Sequence, residues 1–326
     1  MVKKWMLIIF VAMLAVIIVI PSMIGLLLKE EEGEEVVEWE GPEIRLLMHE
    51  TGEIVTIPLE EYLVGVIAGE MPAAFELEAL KAQAVAARTY TVKKMKAGIN
   101  DKHPEADICD DPNHCQAWLS NEEMQQRWGL TGYTSYKRKI QKAVSETRGL
   151  ILTHNGQLIE PVYHSTSGPQ TENSEDVWQQ AIPYLRSVPC EWDKESPRYQ
   201  EQKTIAWDTL DRLLGTSLTA QPVSTLANSP NIIKITKSTQ TGRAGTVRVG
   251  STELQGTKFR SLLGLNSTNF DIAVSANGVT FTTTGYGHGV GMCQYGANGQ
   301  AKEGRGFADI LTYYYTDVKV MKMQGY

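Results

Sequence analysis

The chain has 326 residues, 42% of them hydrophobic and 21% charged, which is globular composition with length for one large domain or two smaller ones. Its formal net charge is −7 and its Lys and Arg residues are scattered, so no basic face is on offer to a nucleic-acid backbone and none is expected as a partner. There are four cysteines, Cys109, Cys115, Cys190 and Cys293, which could oxidise in a body that lies outside the cytoplasm.

Residues 1–28 read as a cytoplasmic tip and a transmembrane anchor. The run WMLIIFVAMLAVIIVIPSMIGLLL, Trp5 to Leu28, is long enough to cross a hydrocarbon core of roughly 30 Å as a helix. A signal-peptide core is about 7–15 residues, so a retained anchor is the first reading and a cleaved signal the alternative. Lys3 and Lys4 precede the run and KEEEGEE follows it, which places the N-terminus in the cytoplasm and exports the body. Residues 29–41 are an acidic linker, and 42–326 form the extracytoplasmic body.

In that body, IRLLM and EIVTI read as two short strands around a turn. Pro58 opens a helix, LEEYLVGVIAG, with Leu59, Tyr62, Leu63, Val66 and Ile67 on one face. Pro72 biases Met71 away from helical geometry, so this helix ends near Glu70. The Ala-rich stretch ELEALKAQAVAARTYTVKKMKAG is a second helix with Gly98 as its stop. Residues 99–118 read as irregular. A capping box at Ser120 starts a short helix, and Tyr136 to Thr147 reads as another. Asn155-Gly156 marks a hairpin, and residues 165–176 are polar and turn-like. TIAWDTLDRLLG is a helix, strands dominate from Ile232 to Thr284 with a second hairpin at Asn277-Gly278, and FADILTYYYTDV closes the chain as a helix. The class is α+β: a helical hairpin with Glu70 at its corner, joined to a β-rich portion.

Four constellations could carry chemistry. Glu70 sits at a helix C-terminus among Ala68, Gly69, Met71, Pro72 and Ala73. A dipole of the wrong sign and an apolar site both favour the protonated acid, which is the useful state for a general acid; a solvated carboxylate at a helix corner is the alternative. His103, Cys109, His114 and Cys115 form H-x5-C-x4-H-C, four ligands suited to tetrahedral zinc with no open position, hence a structural site. A Cys109–Cys115 disulfide with two surface histidines is the alternative. The stretch YHSTSGPQTENSEDVW offers Tyr163, Ser165, Thr166, Ser167 and Glu172 to a hydroxyl-rich ligand such as a sugar, or is a polar surface loop. A Ser-His nucleophile at His164-Ser165 is disfavoured, because neighbours in a strand face opposite ways. Finally, GYGHGVGMCQYG has glycines that admit close backbone approach, with His288 and Gln294 as its polar candidates, and no phosphate-loop Lys follows. Cys190 and Cys293 are read as without ligand-like neighbours, as free or buried thiols, with a disulfide between them open.

The segment EEYLVGVIAGEMPAAFELEALKAQAVAARTYT, the HSTSG…TENSEDVW stretch and GYGHGVGMCQYGA, in that order, resemble the three motifs of the stage II sporulation protein D family. The resemblance runs from about Glu43 to near the C-terminus, and the N-terminal anchor fits it. It implies a peptidoglycan lytic transglycosylase, a lyase that cuts between N-acetylmuramic acid and N-acetylglucosamine on denuded glycan and leaves 1,6-anhydro ends, with no cofactor for the chemistry. The family's catalytic acid maps onto Glu70, and Arg88, Tyr163, Ser167 and Glu172 match polar pocket positions. Where the family often has Gly-Gly after the serine, this chain has Gly168-Pro169, which leaves the loop's shape open. The His/Cys pattern resembles that of some members. The resemblance also implies action in engulfment from the mother-cell engulfing membrane, with stage II sporulation proteins P and M as partners. Some relatives resemble amidase enhancers, which bind wall or a hydrolase without chemistry of their own.

Overall fold

The computed structural model describes residues 41–98 and 103–323, with Lys4 and Val16 besides. Nearly all of the anchor and of the linker lies outside the described residues, and among the described residues no helix is long and apolar enough to cross a membrane.

β1 (Glu43–Leu47) and β2 (Ile54–Pro58) form the expected antiparallel hairpin. Pro58 then hands the chain to α1 (Leu59–Glu70). The predicted stripe is buried, with Leu59, Tyr62, Leu63, Val66 and Ile67 all fully enclosed. Val64, Gly65 and Ala68 are buried too, so α1 is covered nearly all round rather than lying on the surface. It stops at Glu70 because Met71, before Pro72, is extended at φ −131° and ψ 140°. α2 (Leu77–Ala97) follows and ends at Gly98, whose φ of 75° needs glycine. Its alanines let it pack closely against α1 and other elements, so it is the central helix of this half.

The irregular 103–119 segment is stitched to the hairpin by β3 (Ile108–Cys109), which runs parallel to β1, while Arg45 and Asp107 pair alongside at 2.9 Å. The capping box at Ser120 is present, with its side chain accepting from the Glu123 N–H and the Glu123 carboxylate accepting from the Ser120 N–H. The two helices expected after it are both present and together span α3 (Asn121–Glu146); they meet at Gly129, whose φ of 67° and ψ of 173° are not helical, so the second starts before Tyr136. β4 (Leu150–His154) and β5 (Gln157–Leu158) make the Asn155-Gly156 hairpin, both turn residues having positive φ. β14 (Lys319–Lys322) pairs with β4, so the chain does not close on its last helix as expected.

The β-rich portion holds a meander, β8 (Ile233–Ser238), β9 (Ala244–Val249) and β10 (Thr252–Gln255), and a sheet of β11 (Phe270–Ser275), β12 (Gly278–Thr284) and β7 (Gln200–Ile205). β7 takes Thr204 and Ile205, which the periodicity assigned to a helix; that helix starts at Trp207. The helix Gly256–Leu263 inside the strand-rich stretch was not expected. Ser275 pairs with Gly278, so the second hairpin turns at Ala276-Asn277 and Gly278 already belongs to the strand. Phe259, Phe270 and Phe281 stack in the core of this portion at 5.6–5.8 Å between centroids.

Two of the three sequence motifs are zipped together by backbone. β6 (Tyr163–His164) runs parallel to β13 (Met292–Cys293), and single bridges join Thr166 to Tyr286 and Glu172 to Val290. The helix Gln294–Lys302 leaves β13 and packs on α2, which joins both motifs to the hairpin that bears Glu70.

Candidate active site

Glu70 is the last residue of α1 and is partly buried. Its Oε1 accepts the Ala117 N–H at 2.7 Å. Burial pushes its pKa from 4.5 up to about 7, against the pull of the Ala117 N–H and of the Tyr163 hydroxyl, both of which favour the carboxylate. Among the described residues, no second carboxylate is among the groups that shift it. An acid poised near neutrality can both give and take a proton at working pH.

The donor reaches Glu70 because α1 is notched. A Cβ at Gly65 would lie 2.2 Å from Trp118 Nε1, and one at Gly69 would lie 2.9 Å from the carbonyl carbon of Ala117. These glycines, one helical turn apart, let the 117–119 backbone lie directly on the helix, and the Leu119 N–H donates to Gly65 O at 3.1 Å. The neighbouring Gln116 is buried; it accepts from Thr91 Oγ1 at 3.0 Å and donates to the Tyr163 hydroxyl at 2.8 Å. A chain of polar groups thus runs from α2 through Gln116 and Tyr163 to Glu70.

Immediately before Gln116, the ligand atoms of His103, Cys109, His114 and Cys115 all lie within 4.8 Å of one another. Cys109 Sγ is 3.3 Å from His114 Nδ1, and Cys115 Sγ is 3.5 Å from His103 Nε2. Tetrahedral zinc with these ligand types sets its donors about 3.6 Å apart. The other ring nitrogen of His103, Nδ1, meets Ala106 O at 3.1 Å, the outer contact that fixes a ligating imidazole. The two cysteines are not bonded to each other. The residues therefore fit a closed four-ligand metal site.

The remaining predicted positions divide by burial. Tyr163, Ser165 and His288 keep partial exposure. His288 is held neutral, its pKa lowered to about 4 by burial and then by the charge of Arg260; its Nδ1 accepts the Val290 N–H, and its ring lies 5.1 Å from exposed Trp178. Gln294 is buried and reaches Gln83 at 3.4 Å. Ser167 is fully buried against His164: the imidazole meets Val290 O through Nδ1 and Ser167 Oγ at 2.8 Å through Nε2. Burial forces His164 well toward its neutral form. This serine–histidine pair has no access to a ligand, which separates it from a nucleophile.

Arg88 and Glu172 are placed differently from what the resemblance implies. Arg88 is 0% exposed; it grips Glu60 through Nε at 2.9 Å and Nη2 at 2.6 Å and donates to the carbonyls of Leu150 and Val144. It ties α1 to the C-terminal end of α3, with no path to a substrate. Glu172 is 1% exposed and accepts from Thr239 and Thr241 hydroxyls at 2.9 and 2.5 Å, with Arg243 at 3.7 Å. Both carry charge that the fold itself consumes. Cys190 and Cys293 are free, buried thiols as expected, but they do have a ligand-like neighbour: Asp193, three residues from Cys190, gathers with both, and Cys293 Sγ donates to Asp193 Oδ2 at 3.4 Å. That oxygen also accepts the Ser167 and Gly168 N–H groups, so the cluster pins the turn of the second motif.

Gln116 and Ala117 are the site residues that sequence reasoning missed. They lie in a stretch without periodicity. The Gly65/Gly69 spacing was the available signal, since two glycines a turn apart in a good helix mark a close backbone approach.

The family model described as SpoIID, stage II sporulation protein, matches residues 48–154. The chain is 42% identical to stage II sporulation protein D of Bacillus subtilis (strain 168) over 273 residues, 84% of this chain and 77% of that one. It is 37% identical to stage II sporulation protein D of Bacillus amyloliquefaciens over 301 residues, 92% and 85% of the two chains. A protein named amidase enhancer, from Bacillus subtilis (strain 168), is 29% identical over 302 residues, 78% of this chain and 39% of that one. Glu70 lies inside the span that the family model matches, and the two Bacillus relatives are 42% and 37% identical over most of both chains, so the chain belongs to the stage II sporulation protein D family.

Proposed function

We propose that the protein is a peptidoglycan lytic transglycosylase with Glu70 as its acid and base. The observation that carries this reading is a partly buried carboxyl with its pKa near 7, shifted by burial and by two hydrogen-bond donors alone. Protonated Glu70 gives its proton to the glycosidic oxygen as the bond from C1 of N-acetylmuramic acid breaks. The resulting carboxylate takes the proton of the C6 hydroxyl as O6 bonds to C1. The 1,6-anhydro end forms, no water enters, and Glu70 is returned protonated. Hydrolases need a second carboxylate to activate water or to act as nucleophile, and the surroundings of Glu70 fit the one-acid scheme better. Tyr163, held by Gln116, orients the carboxyl. Ser165 and His288, both partly exposed, are polar groups available to substrate.

His103, Cys109, His114 and Cys115 would hold Zn2+, whose chemistry there is structural: four protein donors leave no site for substrate or water. Anchoring by residues 5–28, action in engulfment on denuded strands, and partnership with stage II sporulation proteins P and M belong to the same proposal.

The test is digestion of denuded glycan by the full-length chain with mass spectrometry of the ends. Anhydro ends from wild type and none from Glu70→Gln are expected; reducing ends carrying an added water, or full activity in Glu70→Gln, would overturn the mechanism. The likeness to the amidase enhancer favours a second reading, a wall-binding module without chemistry. On that reading Glu70→Gln keeps any stimulation of an amidase, and wild type yields no new ends.

A further inference from the structure

A groove of about 260 Å3 opens beside the hairpin corner and takes no part in the proton transfers. One wall is the turn that follows Glu70 and carries Phe75; at most ~18 Å of chain separates the two residues. The floor is the helix Gln294–Lys302, which contributes Tyr295 and Asn298, and Trp192 forms the far wall. Phe75 and Tyr295 meet edge to face at 4.9 Å between ring centroids. Trp192 is held by the Arg305 guanidinium, 4.9 Å over its ring, and by Tyr313, in a T-shaped pair at 5.5 Å between centroids. A Cβ at Gly299 would lie 2.4 Å from Trp192 Cβ, so glycine is what admits the indole there.

The polar groups narrow the occupant. Asn298 is 8% exposed, and its carbonyl oxygen accepts the Glu76 N–H at 2.8 Å. Among the described residues its NH2 makes no hydrogen bond and is not one of the buried unpaired atoms, and the side chain lines the groove. The donor is therefore open to whatever occupies the groove, water or ligand. At the rim Lys302 and Glu195 neutralise each other at 2.5 Å, so the groove has no net charge to attract an anion. Aromatic walls with one amide donor and no net charge fit the apolar face and acetamido oxygen of a neutral pyranose.

We infer that this groove is a distal sugar subsite, taking one N-acetylhexosamine of the strand cut at Glu70, with Trp192 as stacking platform and Asn298 as amide donor. The inference rests on the glycan-cleaving reading. Tyr295 connects the two places, because its N–H donates to Ser165 O at 3.1 Å, inside the second motif.

The probe is a series of N-acetylglucosamine oligomers, trimer to hexamer, titrated calorimetrically into the full-length Glu70→Gln chain. Affinity should rise with length, and Trp192→Ala should cut the hexamer-to-trimer ratio about tenfold, the worth of one aromatic stacking surface. Ala74→Trp, at an exposed position on the rim, should fill the groove and lower the same ratio without touching the core. Ratios unchanged in both variants, with wild type still cutting glycan to anhydro ends, overturn the subsite and leave the activity standing. No anhydro ends from wild type would overturn the activity itself, and the subsite with it.

Discussion

Replacing Glu70 by Gln should make the protein more stable, and by an amount that depends on pH. The folded carboxyl binds its proton up to a pKa of about 7, whereas the unfolded one releases it near 4.5. Between those values the folded state holds more protons, so the stability this group contributes is complete below about pH 4.5 and is lost as pH rises through 7. At 1.36 kcal/mol for each factor of ten in proton affinity, the loss is at most ~3 kcal/mol, and less where water reaches the carboxyl. Gln cannot titrate, and its side-chain oxygen can still accept the Ala117 N–H. Equilibrium unfolding in urea at pH 4.5, 6 and 8 should therefore show a gap between variant and wild type that opens with pH and levels off above 7. In wild type, cleavage should fall about tenfold per pH unit on the alkaline side, as the acid form is depleted. A stability gap that does not change with pH would refute burial as the cause of the raised pKa.

Tyr163→Phe removes a hydroxyl that holds the Glu70 pKa down, so the alkaline limb of the cleavage profile should move upward; the orphaned Gln116 amide should cost about 1–3 kcal/mol in unfolding. Gly65→Ala forces a methyl into Trp118 and should destabilise by about 1–3 kcal/mol, with the same upward shift as the Ala117 N–H is displaced; a silent variant would discount the notch. Arg88→Met removes the cation paired with buried Glu60 and should cost about 3–5 kcal/mol by chemical denaturation, while the double variant with Glu60→Leu recovers most of it. Because Arg88 is enclosed, cleavage per folded molecule should not change in the double variant; a raised KM there would restore a substrate role. Atomic absorption should find one zinc per chain, and Cys115→Ser should lose it together with part of the melting temperature. A metal-free chain with an unaltered melting curve would remove zinc from the proposal.

What could be read from the sequence was local. Pro58 and Pro72 through their rings, and Gly98 through its lack of a Cβ, set the ends of α1 and α2 by backbone geometry. The Ser120 capping box and the Asn155-Gly156 turn were legible for the same reason. The turn at Ala276-Asn277 was misplaced by one residue because cross-strand pairing of Ser275 with Gly278, a tertiary fact, decides which residues turn. The helix Gly256–Leu263 sits among strands, where β-propensity swamps an eight-residue helical period. Charge misled most at Arg88 and Glu172: polar residues inside functional motifs invite a substrate role, and only burial shows that their partners are Glu60, Thr239 and Thr241.

The pKa of Glu70 is a balance among three separately encoded elements. The hairpin corner supplies burial, which alone would drive the pKa higher and leave an acid too weak to part with its proton. The segment after Cys115 supplies one N–H, and β6 supplies the Tyr163 hydroxyl; both pull the value back toward neutrality. Neither donor touches α1 by virtue of its own sequence. The first depends on glycines at 65 and 69 and on whatever orders the His/Cys loop, the second on Gln116 and on the pairing of β6 with β13. Loosening either should raise the Glu70 pKa and shift activity alkaline before it abolishes activity. That order of effects separates loss of a positioning contact from general unfolding, which lowers the rate at every pH alike.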